Sequence, residues 1–186
     1  EDIYIGDGGS NSLLVSSVDV KKPDQIVDNT MILSQYVDIY VSESAFYLYQ
    51  RKGYWDDVVT QIAKFDLSDG KMNAVGAVSA NGRVTDTFAV NECEGKLRVL
   101  TSGQNAVSGE AENNLYLFDE NLNLTGKIEG LAQGEEIYAA RYLGNMAYFV
   151  TYRNTDPLFA VDLSDDKNPK VLGELKISGF SEYLHF

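Results

Sequence analysis

A chain of 186 residues with 44% hydrophobic and 11% aromatic residues carries enough apolar material for a packed core and is not a disordered segment. Fifteen basic against 28 acidic residues leave a net charge of −13, which argues against nucleic-acid and anionic-membrane partners, both of which are held through Lys and Arg. One cysteine, Cys93, excludes an internal disulfide and a multi-thiolate metal site. One histidine, His185 at the extreme C-terminus, argues against a Ser-His triad and a His-based zinc site.

No apolar run approaches the roughly 18 residues needed to span a bilayer, and no signal-peptide pattern opens the chain. The first residue is Glu1 rather than Met, so upstream sequence is expected to have been removed, and any export signal with it.

In chain order, Asp2-Ile-Tyr-Ile-Gly6 reads as a short strand. It is followed by Asp7-Gly-Gly-Ser-Asn11, whose closely spaced oxygen side chains suit a Gly-rich turn first and a contribution to a Ca²⁺ site second, since the full EF-hand pattern is lacking. Strands are expected at Leu13–Asp19, 36–41, 45–49 and 61–66. Phe88-Ala-Val-Asn-Glu-Cys93 reads as the end of a strand, which makes Cys93 a half-buried structural thiol. Further strands follow at 96–100, 114–119, 146–150 and 157–162, and the chain closes on Ser181-Glu-Tyr-Leu-His185. Gly, Asn, Asp and Ser clusters separate the runs, and no stretch carries a 3.6-residue apolar period, so the chain is all-β.

An apolar strand ending in Asp, a polar turn and a second apolar strand recur four times, at Asp19, Asp66, Asp119 and Asp162, with spacings of 47, 53 and 43 residues. Periods in the forties suit the four-stranded antiparallel blades of a β-propeller of WD40 type. The aspartates are read as turn-makers, each carboxylate accepting backbone N–H bonds from the following turn. With strands a to d counted from the axis outward, the expectation is a single propeller domain or fragment of about four blades, with units near 1–33, 34–80, 81–130 and 131–178 and with 179–186 starting or closing a blade. Strands b read as apolar on both sides, fully at 146–150 and less so at 96–100, as sandwiching between neighbouring blades requires. The first unit opens on a strand b at 2–6 and the chain ends on a strand a at 181–185. Their pairing would close a four-bladed monomer; otherwise the exposed edges call for a second copy, a dimer.

The stretches Gly134-Glu-Glu-Ile-Tyr-Ala-Ala-Arg-Tyr-Leu-Gly-Asn145, Ala147–Ser164 and Asn168–His185 resemble bacterial and archaeal secreted proteins with a C-terminal β-propeller distantly related to WD40 repeats. The resemblance is strongest from about residue 83 onward. It implies an extracytoplasmic, often membrane-anchored protein with further blade sequence beyond residue 186, and it brings no catalytic residues to carry over.

Propeller ligands are usually met on the face where b–c and d–a loops emerge. The b–c loops are read as 6–11, 51–58, 102–112 and 152–156. The second carries Arg51, Tyr54, the sole tryptophan Trp55, and the adjacent carboxylates Asp56 and Asp57; the fourth carries Arg153. An exposed aromatic there stacks on a sugar or anchors a protein, unless Trp55 folds back over the blade edge. Arg83, Glu135, Glu136, Arg141 and Glu182 fall near the starts of strands a, where they pair with one another or meet a polar ligand. Arg51, Tyr54, Trp55, Asp56, Asp57, Arg83, Arg141 and Arg153 are the candidate ligand-binding residues. The leading expectation is an extracytoplasmic binding or scaffold module for a protein, peptide or glycan, with no cofactor and no nucleic acid. The alternatives are a carbohydrate-active enzyme using the loop carboxylates and a structural spacer.

Overall fold

The computed structural model describes residues 2–5, 11–34, 37–54, 57–105, 107–152 and 156–177; for residues 2–5, 156 and 177 only the backbone is considered. Fifteen strands occur among the described residues. They are β1 (Asp2–Ile5), β2 (Asn11–Asp19), β3 (Lys22–Ser34), β4 (Asp38–Val41), β5 (Ala45–Lys52), β6 (Val59–Ser68) and β7 (Lys71–Asn81). Then come β8 (Val90–Cys93), β9 (Lys96–Gln104), β10 (Ala111–Phe118), β11 (Leu124–Leu131), β12 (Glu136–Leu143), β13 (Met146–Tyr152), β14 (Asp156–Asp162) and β15 (Lys170–Ile177). A 3-10 turn at Thr87–Ala89 leads into β8. No α-helix occurs among the described residues.

The strands form one three-stranded sheet, β1-β3-β2, and three four-stranded sheets, β4-β5-β6-β7, β8-β9-β10-β11 and β12-β13-β14-β15. In the four-stranded sheets sequential neighbours pair, which is the a-b-c-d order of a propeller blade. Tight two-residue turns set the register of two hairpins. Glu94 (φ 55°) and Gly95 (φ 78°) close β8–β9, and Asp69 (φ 52°) and Gly70 (φ 73°) close β6–β7, the left-handed pairs whose twist matches the flanking strands.

Three of the four recurrent aspartates make the expected turns. Asp19 Oδ1 accepts from the Lys21 N–H at 2.9 Å, Asp119 Oδ1 accepts from the N–H groups of Asn121 and Asn123 at 2.9 and 2.8 Å, and Asp162 Oδ1 accepts from the Ser164 N–H at 2.9 Å. Asp66 differs. It lies inside β6, paired with Lys64 at 3.3 Å, because the Asp69-Gly70 turn directly after the strand supplies the reversal instead.

The first sheet also departs from the expected strand b at its start. Residues Asp2 to Ile5 run parallel to β3, in register from Asp2↔Thr30 to Ile5↔Leu33, instead of lying beside β2. The 13-residue β3 bonds β2 along one edge, and its other edge presents backbone N–H and C=O groups that β1 satisfies. Residues 181–185, expected to complete that sheet, lie outside the described residues.

The chain forms two compact units, Glu1–Gln50 with Ile62–Ala77, and Arg51–Gln61 with Val78–Phe186. The core of the first unit is Ile32, Phe46, Leu48, Phe65 and Met72, with Leu13 and Val15 packed against it; Phe46 and Phe65 stack at 4.7 Å. The core of the second includes Leu100, Leu115, Leu117, Ile137, Phe149, Phe159 and Val161, with Phe149 and Phe159 stacked at 4.9 Å.

The inner strands of the second unit are buried on both faces, as their unalternating sequence requires. Arg98, the one buried charge in β9, is 3% exposed. It donates to Gly144 O at 2.6 Å and Asn145 Oδ1 at 3.1 Å, satisfying the β12–β13 turn of the adjacent sheet. Lys96 donates to Asp166 on the same side, and this bond holds the ammonium above its usual pKa. Cys93 is half-buried at the end of β8, as a structural thiol should be.

Candidate functional site

The site begins with two glycines. Gly82 has φ +88°, and a Cβ there would stand 2.9 Å from Ser102 O, while a Cβ on Gly103 would stand 3.1 Å from the Gly82 Cα. Without side chains, the segment after β7 presses directly on the end of β9. Arg83 and Ser102 then exchange a pair of backbone bonds, Arg83 N–H to Ser102 O at 2.7 Å and Ser102 N–H to Arg83 O at 2.8 Å. Two buried threonines hold the same segment. Thr60 donates to Gly82 O at 2.8 Å and accepts from the Val84 N–H at 3.2 Å, and Thr101 donates to Asn81 O at 2.5 Å.

Asn113 on β10, completely buried, fixes the other wall. Its Nδ2 donates to Leu131 O and Glu135 O, each at 3.0 Å. Its Oδ1 accepts from Ser102 Oγ at 2.6 Å and from the Ile137 N–H at 3.1 Å. The start of β12 is thereby locked to the ends of β9 and β10, and a fully satisfied buried network of this kind rigidifies what it joins. Thr151 adds a bond to the Glu135 carboxylate.

These walls enclose an open cleft of about 310 Å³ lined by Arg51, Tyr54, Val58, Arg83, Ser102, Gly103, Gln104 and Glu136. The Arg83 Nη2 donates to Glu136 Oε2 at 2.6 Å, with both side chains substantially exposed. Tyr54 is 80% exposed at the rim. Among the described lining residues two guanidinium groups stand against one carboxylate, in a chain whose net charge is −13.

The fold therefore brings together Arg51, Tyr54 and Arg83 of the candidate ligand-binding residues with Glu136, which pairs with Arg83 as expected of the charges near the starts of strands a. Asp57 is exposed and closes the loop through its N–H to Tyr54 O at 3.3 Å, outside the cleft lining. Arg141 stands apart as well. It lies five residues along β12 from Glu136, about 16 Å at strand rise, and its guanidinium carbon sits 3.5 Å above the centre of the Phe88 ring, a cation–π contact. Trp55, Asp56 and Arg153 lie outside the described residues, as do residues 7–10 of the calcium expectation. Among the described residues no group of three or more His, Cys, Asp or Glu is placed to hold a metal ion.

Ser102, Gly103 and Gln104 escape the sequence reading because they look like the beginning of the 102–112 loop, whereas β9 continues to Gln104. Two signals point to them: paired glycines at strand ends, which mark close backbone approach, and the Asn113-Asn114 pair in the middle of an apolar strand, where asparagine is disfavoured unless its amide has buried partners.

Residues 1–186 match the family model described as "Beta propeller domain". An uncharacterized protein of Methanocaldococcus jannaschii is 47% identical over 134 residues, covering 71% of this chain and 21% of that protein. An uncharacterized protein of Archaeoglobus fulgidus is 48% identical over 126 residues, covering 68% of this chain and 19% of that protein. The chain thus spans about a fifth of the length of these curated relatives. Among solved structures, a subtype N10 neuraminidase-like protein of A/little yellow-shouldered bat/Guatemala/060/2010 has a TM-score of 0.48 at 15% identity, over 77% of this chain and 45% of that one.

Proposed function

The chain belongs to the β-propeller domain family, and from that premise we propose that it is a binding or scaffold module that recognises a protein, peptide or glycan where Arg51, Tyr54 and Arg83 meet. The observation that carries this reading is the contrast within the cleft. Its backbone walls are fixed by buried Asn113, Ser102, Thr60 and Thr101, while Tyr54 stands 80% exposed at the rim. A rigid frame with an exposed, amphipathic aromatic lowers the entropy cost of binding and offers a face for stacking or anchoring. In this reading the module works outside the cytoplasm, as a distant relative of WD40 propellers in a secreted or membrane-anchored protein, which the residue-level resemblance from residue 83 onward supports.

The test is a glycan array and a peptide library screened against the folded domain, with binders re-measured on variants. Tyr54→Ala is expected to weaken a true ligand by about 1–3 kcal/mol. A verified ligand that binds Tyr54→Ala and Arg51→Ala as tightly as the parent rules out this face. Hydrolysis of an array glycan would instead move the assignment to a carbohydrate-active enzyme.

A further inference from the structure

Resting on the binding reading above, we infer that the cleft is selective for a ligand bearing a single carboxylate beside hydroxyl or amine donors. Arg51 has no ion pair among the described residues, and Arg83 uses Nη2 to donate to Glu136 at 2.6 Å. A guanidinium carries five N–H donors in a planar fork that matches a carboxylate, so each arginine retains donors to offer. In a chain with 28 acidic and 15 basic residues, two arginines against one glutamate among the described lining residues offer a local site for negative charge.

Glu136 sets how much negative charge fits. Its carboxylate lines the same cleft, so a dianionic phosphate would meet like-charge repulsion from it and from the −13 net charge. A monoanionic carboxylate engages Arg51 and the open donors of Arg83, while a neighbouring hydroxyl or ammonium of the ligand donates to Glu136. Tyr54, exposed at the rim, then lies against the body of the ligand. Uronic acids and acidic amino-acid units share this chemistry.

Titration calorimetry with amide chemical-shift mapping tests the inference on the folded domain, using glucuronate, the α-amide of N-acetylglutamate with its single γ-carboxylate, neutral glucose and inorganic phosphate as probes. Glucuronate or the N-acetylglutamate α-amide should bind at the cleft with at least about tenfold preference over glucose and phosphate, and the tighter of the two identifies the source. Arg51→Gln is expected to weaken that binding about tenfold or more. Glu136→Gln, which removes the competing carboxylate, should strengthen it about two- to fivefold, a gain that a merely structural role for Glu136 would not give. Equal binding of glucose and glucuronate at the cleft, or carboxylate binding unchanged in Arg51→Gln, overturns the selectivity and leaves the binding face standing. Carboxylate shifts that map away from Arg51, Tyr54 and Arg83, or no carboxylate binding at millimolar concentration, overturn the inference too. The binding face itself fails only if the array-selected ligands ignore the Tyr54 and Arg51 substitutions.

Discussion

The β1-β3-β2 sheet and the pair of sheets β8–β11 and β12–β15 are built from the same strand–turn vocabulary, yet they bury it differently. In the first, Leu13, Val15 and Ile32 face a core, while the cross-strand pairs Leu14↔Met31 and Val18↔Ile26 face outward and remain exposed. In the second, β9 and β10 are buried on both faces, and polar residues are buried with them: Arg98, Thr101, Ser102, Asn113 and Asn114. The lesson is where a site can form. The first sheet also buries Thr30 and Ser34 of β3, but it is turns locked by buried amides and hydroxyls that yield a fixed cleft whose rim is free to meet a ligand.

The sharpest break in the comparison comes from core truncation. Phe149→Ala removes a fully buried ring stacked on Phe159 and should cost about 3–5 kcal/mol in denaturant unfolding. Leu14→Ala, 57% exposed, should stay within about 0.5 kcal/mol. Equal losses would mean the outer face of the first sheet is covered in solution.

Next in size is the polar clamp. Asn113→Ala strands Leu131 O, Glu135 O and the Ser102 hydroxyl and should cost about 3 kcal/mol, whereas Ser16→Ala, losing an exposed bond to Asn29, should change stability by under about 0.5 kcal/mol. Glycines sharpen the same contrast. Gly82→Ala, forced to φ +88° against Ser102 O, should cost about 1–3 kcal/mol, while Gly76→Ala, with nothing within 4 Å of a new Cβ, should be near neutral in the same assay.

The smallest effect is acid sensitivity, and here the two regions should behave alike. The Met72 and Asn29 backbone N–H groups hold the Asp28 carboxyl below its ordinary pKa of 3.8, and bonds from Ser164 do the same for Asp162. A carboxyl with a lowered folded-state pKa stabilises the fold fully above its unfolded value, and that stability is lost as pH falls below about 3.8 toward the folded value. Asp28→Asn and Asp162→Asn should each flatten the decline of melting temperature below pH 4. An unchanged acid limb would mean that neither bond persists in solution.

Much of this was legible in the residues. Asp19, Asp119 and Asp162 announced their turns, and unalternating strands such as 146–150 announced burial on both faces. Asp66 misled because repeat spacing cannot distinguish an Asp that makes a turn from one inside a strand whose turn, Asp69-Gly70, follows shortly after. The parallel docking of β1 was hidden for a related reason: alternation reports which face a strand buries, not which edge it pairs with. At the cleft, the 51–58 loop brought out Arg51 and Tyr54 and the starts of strands a brought out Arg83, but the latter reading could not separate Arg141, whose strand position carries it to Phe88. Ser102 and Asn113 stayed hidden because their importance lies in long-range bonds to Ile137 and Glu135.

The central claim, that the cleft is a prebuilt frame, is tested most directly by amide hydrogen exchange in the ligand-free domain. The N–H groups of Arg83, Ser102 and Ile137, bonded to Ser102 O, Arg83 O and the Asn113–Ser102 pair, should exchange as slowly as those of core residues Leu100 and Leu115, requiring large-scale opening. Exchange at these three amides as fast as at exposed loop positions such as Val107 would contradict a prebuilt frame.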